Sequence, residues 1–344
     1  MKKILVTGGA GYIGSHTVVE LINAGFDPVI IDNFSNSERR IIDGIEKITG
    51  GKINFYEGDC NNLQFVKDVL AKEGNVSGVI HFAAYKAVGE SVAQPLKYYQ
   101  NNVGSLLTIL EVMKHYQVSN IVFSSSCTVY GEPEVLPVTE DSPFQIPKSP
   151  YGNTKQICEE IIKDISKGRD DKINSIALRY FNPIGAHPSA NIGELPLGAP
   201  NNLIPFVTQT AAGLRDELTV FGDDYNTKDG TCIRDYIHVV DLAKAHVQAI
   251  KYLNDSDQLN LYEAFNIGTG SGNSVLEIIN TFEKVSGINL KYKIGERRGG
   301  DVKQVFGDVS KSRALMGWQA TLTVTDALSD AWRWQNKLAD RAST

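Results

Sequence analysis

The chain has 344 residues, 42% hydrophobic and 22% charged, with 34 Lys and Arg against 40 Asp and Glu and a formal net charge of −6. That balance fits a globular protein of one large domain or two, long enough to bury a sizeable core. Its basic residues pair only as Arg39-Arg40 and Arg297-Arg298, with no tract, which speaks against nucleic acid or a membrane surface as partner.

The apolar run Ile4-Leu5-Val6 is too short for the core of a signal peptide and reads as a strand. No stretch reaches the ~20 apolar residues of a membrane span. Cys60, Cys127, Cys158 and Cys232 are scattered without a C-x-x-C, so neither a disulfide framework nor a zinc site is expected, and the setting is expected to be reducing and cytoplasmic. His16, His81, His187 and His238 are too dispersed to form a metal set, and no metal is expected.

In chain order, short apolar β-branched runs alternate with longer helical segments. The runs are Ile4-Leu5-Val6, Val29-Ile30-Ile31, Ile53 to Tyr56, Val79 to Phe82, Ile121-Val122-Phe123 and Ile176-Ala177-Leu178. Continuous rather than alternating apolarity implies strands buried on both faces, hence an α/β fold with a doubly wound parallel sheet.

After the first run comes Gly8-Gly9-Ala10-Gly11-Tyr12-Ile13-Gly14, opening a helix from Ser15 to about Ala24. Gly8 permits the tight turn, Gly11 lets backbone approach a pyrophosphate, and Gly14 allows close helix–sheet packing. The phosphates would lie at the helix N-terminus, where free N–H groups and the dipole favour an anion.

The second run ends at Asp32, about twenty residues past the glycines, the place of a carboxylate that takes both ribose hydroxyls of adenosine and repels a 2′-phosphate. The expected cofactor is NAD rather than NADP. Asn33, Phe34, Ser35, Asn36 and Ser37 follow beside that ribose. Asp59 is placed either to meet the adenine edge or to cap the helix at Leu63. After the fourth run, Ala83 and Ala84 let a cofactor lie against backbone, and Lys86 can reach a phosphate. Tyr99 to Asn102 falls at or within a helix.

The hydroxyl-rich strand end Ser124-Ser125-Ser126 precedes Tyr151 and Lys155, which stand four apart on one helix face. There the lysine charge can stabilise a phenolate and lower a tyrosine pKa that starts near ~10. The result is a proton shuttle for a sugar or alcohol hydroxyl.

Beyond Asn182 the composition shifts. Gly185 to Asn202 is rich in Gly, Pro, Ala and Asn and reads as a long functional loop. The expected division is a cofactor domain over 1–182 and a substrate domain over 183–344, with segments around 235–270 returning to the first. A helix is expected from Phe206 to about Gly213 and strands at Leu218 to Gly222 and Arg234 to Val239. Asp241 is expected to cap a helix reaching Ile250, Phe265 to Gly268 to close the main sheet, and Arg297 to Asp301 to form a turn with a charged fork.

Taken together, Gly11-Tyr12-Ile13-Gly14-Ser15-His16, Lys86-Ala87-Val88-Gly89-Glu90-Ser91, Thr128-Val129-Tyr130-Gly131, Ser149-Pro150-Tyr151-Gly152, Arg179-Tyr180-Phe181-Asn182-Pro183, Pro200-Asn201-Asn202-Leu203 and Arg234-Asp235-Tyr236-Ile237-His238-Val239 carry a resemblance. The sequence resembles the extended short-chain dehydrogenase/reductases, and among them the UDP-glucose 4-epimerase family, over nearly its whole length. The resemblance implies a Rossmann-like sheet with a smaller C-terminal substrate domain, an isomerase of UDP-sugars with firmly held NAD, and a homodimer. It implies Ser126, Tyr151 and Lys155 as catalytic residues. Tyr12, Ile13, Cys60, Phe82, Tyr85, Asn101 and Phe181 would join the cofactor site. Asn182, Asn202, Leu203, Arg234, Tyr236, Arg298 and Asp301 would hold the nucleotide, with Thr219, Val220 and Phe221 bordering uracil.

Three departures from the family pattern stand out. The Arg-Pro-Gly-Asp turn is Arg298-Gly299-Gly300-Asp301, Cys127 replaces a frequent alanine, and Val305 stands where some bacterial members have a bulky tyrosine. The small residue at 305 implies room for an N-acetyl group at sugar C2. Nucleotide-sugar 4,6-dehydratases carry an Asp-Glu pair where this chain has Cys127-Thr128, which cannot perform their extra acid–base step. A silent NAD-binding regulator would be expected to lack the Tyr–Lys pair.

Overall fold

The structure is a computed structural model that describes residues 1–168 and 172–342. The strands are β1 (Lys3–Thr7), β2 (Asp27–Asp32), β3 (Asn54–Glu57), β4 (Val76–His81), β5 (Asn120–Ser126), β6 (Asn174–Tyr180), β7 (Asn182–Ile184), β8 (Leu218–Phe221), β9 (Ile233–Arg234), β10 (Tyr236–His238), β11 (Tyr262–Ile267), β12 (Asn273–Ser274), β13 (Tyr292–Gly295) and β14 (Gln304–Val305). The helices are α1 (Tyr12–Asn23), α2 (Arg40–Thr49), α3 (Leu63–Glu73), α4 (Val88–Ala93), α5 (Pro95–Tyr98), α6 (Gly104–Tyr116), α7 (Pro150–Lys167), α8 (Leu203–Ala211), α9 (Val239–Asp255), α10 (Val275–Ser286), α11 (Ser310–Met316) and α12 (Val324–Ala342).

Seven strands form one sheet in the order β11-β6-β5-β4-β1-β2-β3, every neighbouring pair parallel. Successive side chains on a strand point to opposite faces, and here both faces are covered. Ile4, Val6 and Ile30 pack into one apolar layer with Val18 and Leu21 of α1 and Leu242 and Ile250 of α9. Leu5, Val29 and Ile31 pack into the other with Val66 of α3, Ile109 of α6 and Ile162 of α7. Burial on both sides is why the strand sequences are apolar without alternation.

Loops leave the carboxyl edge of this sheet, the edge where α/β proteins of this topology bind ligands. A third apolar cluster lies in the later chain, around Ile204 and Val207 of α8, Val220 of β8, Phe282 of α10 and Leu328 of α12.

Several local expectations need correction. The second-half helix spans Leu203–Ala211 rather than starting at Phe206; Pro205 is tolerated because first-turn N–H groups have no intrahelical acceptor. The expected strand over Arg234 to Val239 is two strands broken at Asp235, and Val239 already belongs to α9. Asp241 does not cap that helix. His238 does, accepting from Val240 N at 3.1 Å. The Asp241 carboxylate, inside the first turn, accepts from the backbone of Thr321 and Leu322, both at 2.7 Å. Likewise Asn62, not Asp59, caps α3, accepting from Phe65 N at 3.1 Å.

Candidate active site

The glycine turn is shaped by close contacts. Gly8 has φ +70°, and a Cβ there would meet Ala83 N at 2.9 Å. A Cβ on Gly14 would lie 2.2 Å from Gly8 O. Gly11 is different: its nearest neighbour would be Gly8 O at 3.1 Å, and nothing else lies within 4 Å. Gly11 therefore owes its place less to packing than to the open side it presents. It is also the N-cap of α1, with no side-chain cap and no acidic residue in the first turn. That leaves a helix N-terminus free for an anion. Ile13 packs against the neighbouring apolar layer, and the Tyr12 hydroxyl donates to Gly185 O at 2.7 Å.

Asp32 sits beside this turn and holds it. Its carboxylate accepts from Ala10 N at 3.0 Å, Phe34 N at 2.9 Å and Ser37 Oγ at 3.0 Å. Burial pushes its pKa up, and these hydrogen bonds pull it back. Asn33, Ser35 and Asn36 are exposed around it, and Phe34, with φ +53°, packs edge-on against Phe55. Asp59 is exposed and accepts from Asn61 N at 2.8 Å, while Cys60 is buried beneath.

The loop after β4 brings Phe82, Ala83, Ala84, Tyr85 and Lys86 to the same edge, all but Lys86 partly buried. Asn102 organises it. Its side chain accepts from Tyr85 N at 2.8 Å and donates to Tyr85 O at 3.0 Å and to Thr154 Oγ1 at 3.2 Å. Asn101 donates to Asn102 Oδ1 at 3.0 Å and is only half-buried. One buried amide thus ties the β4 loop to α7. The adjacency of two asparagines was the signal for this, without indicating which of them would turn inward.

Helix α7 begins with Ser149 as N-cap, accepting from Gly152 N at 3.2 Å, and Pro150 at the first helical position. This start puts Tyr151 and Lys155 on the face turned to the end of β5. Lys155 Nζ donates to Ser124 O at 2.6 Å and lies 4.9 Å from the Phe123 ring centre and 5.9 Å from that of Tyr151. Ser126 Oγ accepts from Thr128 N at 3.2 Å. The three expected catalytic side chains therefore meet at one point.

Their electrostatics differ from expectation in one respect. Burial pushes the Tyr151 phenol up to about 12; the Ser126 hydroxyl pulls it down and the neighbouring Cys127 thiol adds to the rise. Lys155 is itself pushed down to about 8 by burial and is turned to the Ser124 carbonyl, so burial dominates at the phenol. In this protein environment alone the tyrosine is neutral at physiological pH, and lowering it needs a further positive charge.

Behind the catalytic group lies a buried ion pair that sequence reasoning missed. Glu159, one turn beyond Lys155, accepts from Arg179 Nε at 3.0 and 3.1 Å and from Nη2 at 2.7 Å. It also accepts from the Tyr262 hydroxyl at 3.1 Å and from Ser125 Oγ. Arg179 Nη1 donates to the Tyr130 hydroxyl at 3.1 Å and to Glu140 O at 2.9 Å. The available signal was a charged residue on the buried stripe of α7.

The opposite wall comes from the later chain. Asp301 accepts from Arg298 Nε at 3.1 Å and Nη2 at 2.9 Å, and Arg234 Nη2 lies 3.5 Å away. The Arg298 guanidinium stands 5.6 Å from the ring centre of Phe221, which is 43% exposed. Two guanidinium groups, one carboxylate and one open aromatic face thus converge. The flexible Gly299-Gly300 turn does not prevent this, since Asp301 N donates to Arg298 O at 3.2 Å. Arg234 lies on the side of the catalytic group, since its charge acts on the buried Cys127 thiol next to Ser126.

Other expected contacts fall differently. Val220 and Tyr236 are buried in the third apolar cluster, so their side chains do not line an open cleft; Thr219, on the alternate face of β8, is partly exposed. Val305 is also buried, packed with Val129, Tyr130, Val138 and Phe181 under the turn that carries Ser126. Asn182 N donates to Asp235 O at 2.9 Å, and Asn202 and Leu203 open α8. Among the described residues no His, Cys, Asp and Glu group could hold a metal, and no helix is long and apolar enough to cross a membrane.

Known proteins resemble this chain in sequence and fold. Residues 5–331 match the family model described as GDP-mannose 4,6 dehydratase. The chain is 51% identical over 334 residues to the UDP-glucose 4-epimerase of Bacillus subtilis strain 168, covering 97% of this chain and 96% of that one. Among solved structures, the UDP-glucose 4-epimerase of Stenotrophomonas maltophila, with bound NAD and formylated UDP-arabinopyranose, superposes with TM-score 0.95 at 42% identity over 99% of this chain and 100% of that one. The Bifidobacterium longum UDP-glucose 4-epimerase, in complex with NAD+ and UDP, gives 0.94 at 46% identity over 98% of this chain and 99% of that one. With that extent of agreement added to the glycine turn, the Tyr–Lys helix and the paired arginines, the chain belongs to the UDP-glucose 4-epimerase family of extended short-chain dehydrogenase/reductases.

Proposed function

We propose that the protein is an isomerase that interconverts UDP-galactose and UDP-glucose at sugar C4, with NAD as resident cofactor. The observation that carries this reading is the meeting of Ser126, Tyr151 and Lys155 at the sheet edge that also holds the glycine turn and Asp32. The residues fit the cofactor. The uncapped N-terminus of α1 suits a pyrophosphate, Gly11 keeps its open side clear, and Asp32 suits ribose hydroxyls.

When bound, NAD would supply a hydride acceptor for C4 and a donor to the other face of the keto sugar, so net redox would be zero. Tyr151 takes the proton of the 4-hydroxyl and later returns it. Ser126 hydrogen-bonds the same oxygen. Lys155 would hold the nicotinamide ribose with the ammonium hydrogens not committed to Ser124 O. Burial holds the phenol near 12, so Tyr151 would act as a base where the site carries a further positive charge, which oxidised NAD would supply. Proton transfer of this kind contributes roughly 10²–10⁴-fold, and placement of C4 supplies much of the remainder.

The nucleotide must be held firmly while the sugar turns over. Arg234 and Arg298 suit the diphosphate, being rigid forks for phosphate oxygens, and Asp301 suits the uridine ribose. Phe221 offers uracil an open ring face. The division into a cofactor unit over 1–182, to which the segments around 235–270 return, and a mainly substrate-binding unit over 183–344 is supported by the separate third apolar cluster and by the packing of α9 and β11 on the main sheet. No carboxylate stands at Cys127 or Thr128, which favours epimerisation over dehydration.

Val305, packed under the turn that carries Ser126, adds none of the bulk a tyrosine would bring there and is read as allowing an N-acetyl group, extending the substrates to UDP-GlcNAc and UDP-GalNAc. Exposed Val92, Leu96 and Leu107, on α4, α5 and α6, support a homodimer. The four unpaired cysteines support a cytoplasmic setting.

The test is incubation of purified protein with UDP-galactose and no added NAD. UDP-glucose should form, and NAD should be released on denaturation. A 4-keto-6-deoxy sugar would establish a dehydratase instead, and an unchanged substrate a silent NAD-binding protein. Failure to turn over UDP-GlcNAc while UDP-galactose reacts would remove the Val305 reading alone.

A further inference from the structure

The loop 185–202 carries no helix or long strand, yet it is firmly seated. A Cβ on Gly193 would meet the Trp334 ring at 2.6 Å, and one on Gly44 of α2 would meet Asn191 O at 2.4 Å. The Trp334 indole donates to Glu194 O at 2.9 Å. From this seat the loop reaches the cofactor side at two places. One is the Tyr12 hydroxyl on Gly185 O; the other is Glu194 Oε1, 3.4 Å from Lys86 Nζ. Lys86 in turn lies 5.9 Å from the ring centre of Tyr12. Glu194 Oε1 also accepts from Asn202 Nδ2 at 2.6 Å.

One carboxylate therefore joins a lysine on the cofactor wall to an asparagine on the substrate wall. Its side chain is mostly buried, 12% exposed against 46% for Lys86, so the lysine must come to it. We propose that Glu194 is a positioning residue that clasps Lys86 across the mouth of the cofactor cleft and so sets how slowly the dinucleotide leaves. This rests on the reading of NAD as resident cofactor. The clasp acts through Lys86 and not on the reacting atoms. A half-exposed ion pair at this distance is worth up to about 1 kcal/mol, and at 1.4 kcal/mol per decade its loss corresponds to about a threefold to fivefold change in rate.

The experiment uses NAD-loaded wild type, Glu194→Gln, Glu194→Ala, Lys86→Met and the Glu194→Gln/Lys86→Met double variant. Release of NAD is followed after dilution into excess labelled NAD, and thermal unfolding is recorded on the NAD-stripped proteins. Glu194→Gln should release NAD about threefold to fivefold faster. The double variant should release at nearly the rate of Lys86→Met alone, because the two residues act as one. Glu194→Ala, which also loses the Asn202 contact, should raise the KM for the UDP-sugar further than Glu194→Gln does. Wild-type release from Glu194→Gln, independent multiplication of the two effects, or faster release accompanied by a lower Tm of the stripped protein each overturns the clasp. Wild-type protein that neither carries nor takes up NAD overturns the cofactor assignment itself, and the clasp with it.

Discussion

Replacing Glu159 with glutamine tests how the catalytic helix is fixed. Glu159 and Arg179 have side chains only 1% and 6% exposed. Burial works against the charge on Arg179, and the Glu159 carboxylate more than offsets it, so the guanidinium is held above its ordinary value. Glutamine removes the charge and turns an N–H donor toward a group that can only donate. Breaking one side of a buried pair costs about 3–5 kcal/mol, because the other charge stays buried. At roughly 2–4 °C per kcal/mol for proteins somewhat smaller than this, Tm should fall on the order of 10 °C. Calorimetry or urea unfolding of the loaded protein reads this directly. Turnover should fall as well, because Glu159 holds both α7, one turn from Lys155, and Ser125, next to Ser126. Glu159→Leu with Arg179→Met should recover more than half of the lost stability. A loss under about 1 kcal/mol for the single change, the range of an exposed pair, would refute the reasoning. So would a double variant no better than the single one.

Three further outcomes are expected. Tyr151→Phe should lower kcat by roughly 10²–10⁴ while NAD still copurifies; near-normal turnover would assign the proton to another group. Lys155 is pushed down from 10.5 to about 8 in the folded chain. Between those values the unfolded state keeps a proton the folded state has shed, so stability of NAD-stripped protein should rise with pH from 8 to 10.5. The gain, about 3 kcal/mol at most at 1.36 per unit, should be missing from Lys155→Met, and parallel pH curves for the two proteins would count against it. Gly14→Ala should destabilise the fold, its Cβ falling 2.2 Å from Gly8 O. Gly11→Ala should instead reduce NAD content with little change in Tm, as seen by absorbance and thermal scans; equal damage from both would show that Gly11 too is held by packing.

The main sheet was legible because parallel strands buried on both faces leave continuous apolar runs, and Ile4-Leu5-Val6 or Ile121-Val122-Phe123 can hardly be anything else. Tyr151 and Lys155 were legible because helical spacing alone puts them on one face. What escaped depends on partners distant in sequence. Glu159 and Arg179 lie on different elements; the buried stripe of α7 marks Glu159 as unusual but does not name its partner. Glu194 stands in an aperiodic stretch where burial has no rhythm to follow. Asp241 was misread because an aspartate early in a helix looks like a cap, and its partners Thr321 and Leu322 lie far along the chain. The phenol of Tyr151 was expected to be acidic from spacing; burial, which spacing does not reveal, sets it high.

The place of β11 governs how this protein can be made. It pairs with the outer edge of β6, yet β6 ends at Tyr180 and β11 begins only at Tyr262. At about 5–20 residues per second, a ribosome needs on the order of 4–16 s to synthesise what lies between. Throughout that interval the growing sheet presents an unpaired strand rich in apolar residues, the kind of edge that recruits other chains. The later segment is thus a seal for the nascent sheet as well as a wall of the cleft, and a polypeptide stopped before Tyr262 would emerge with its most adhesive edge open.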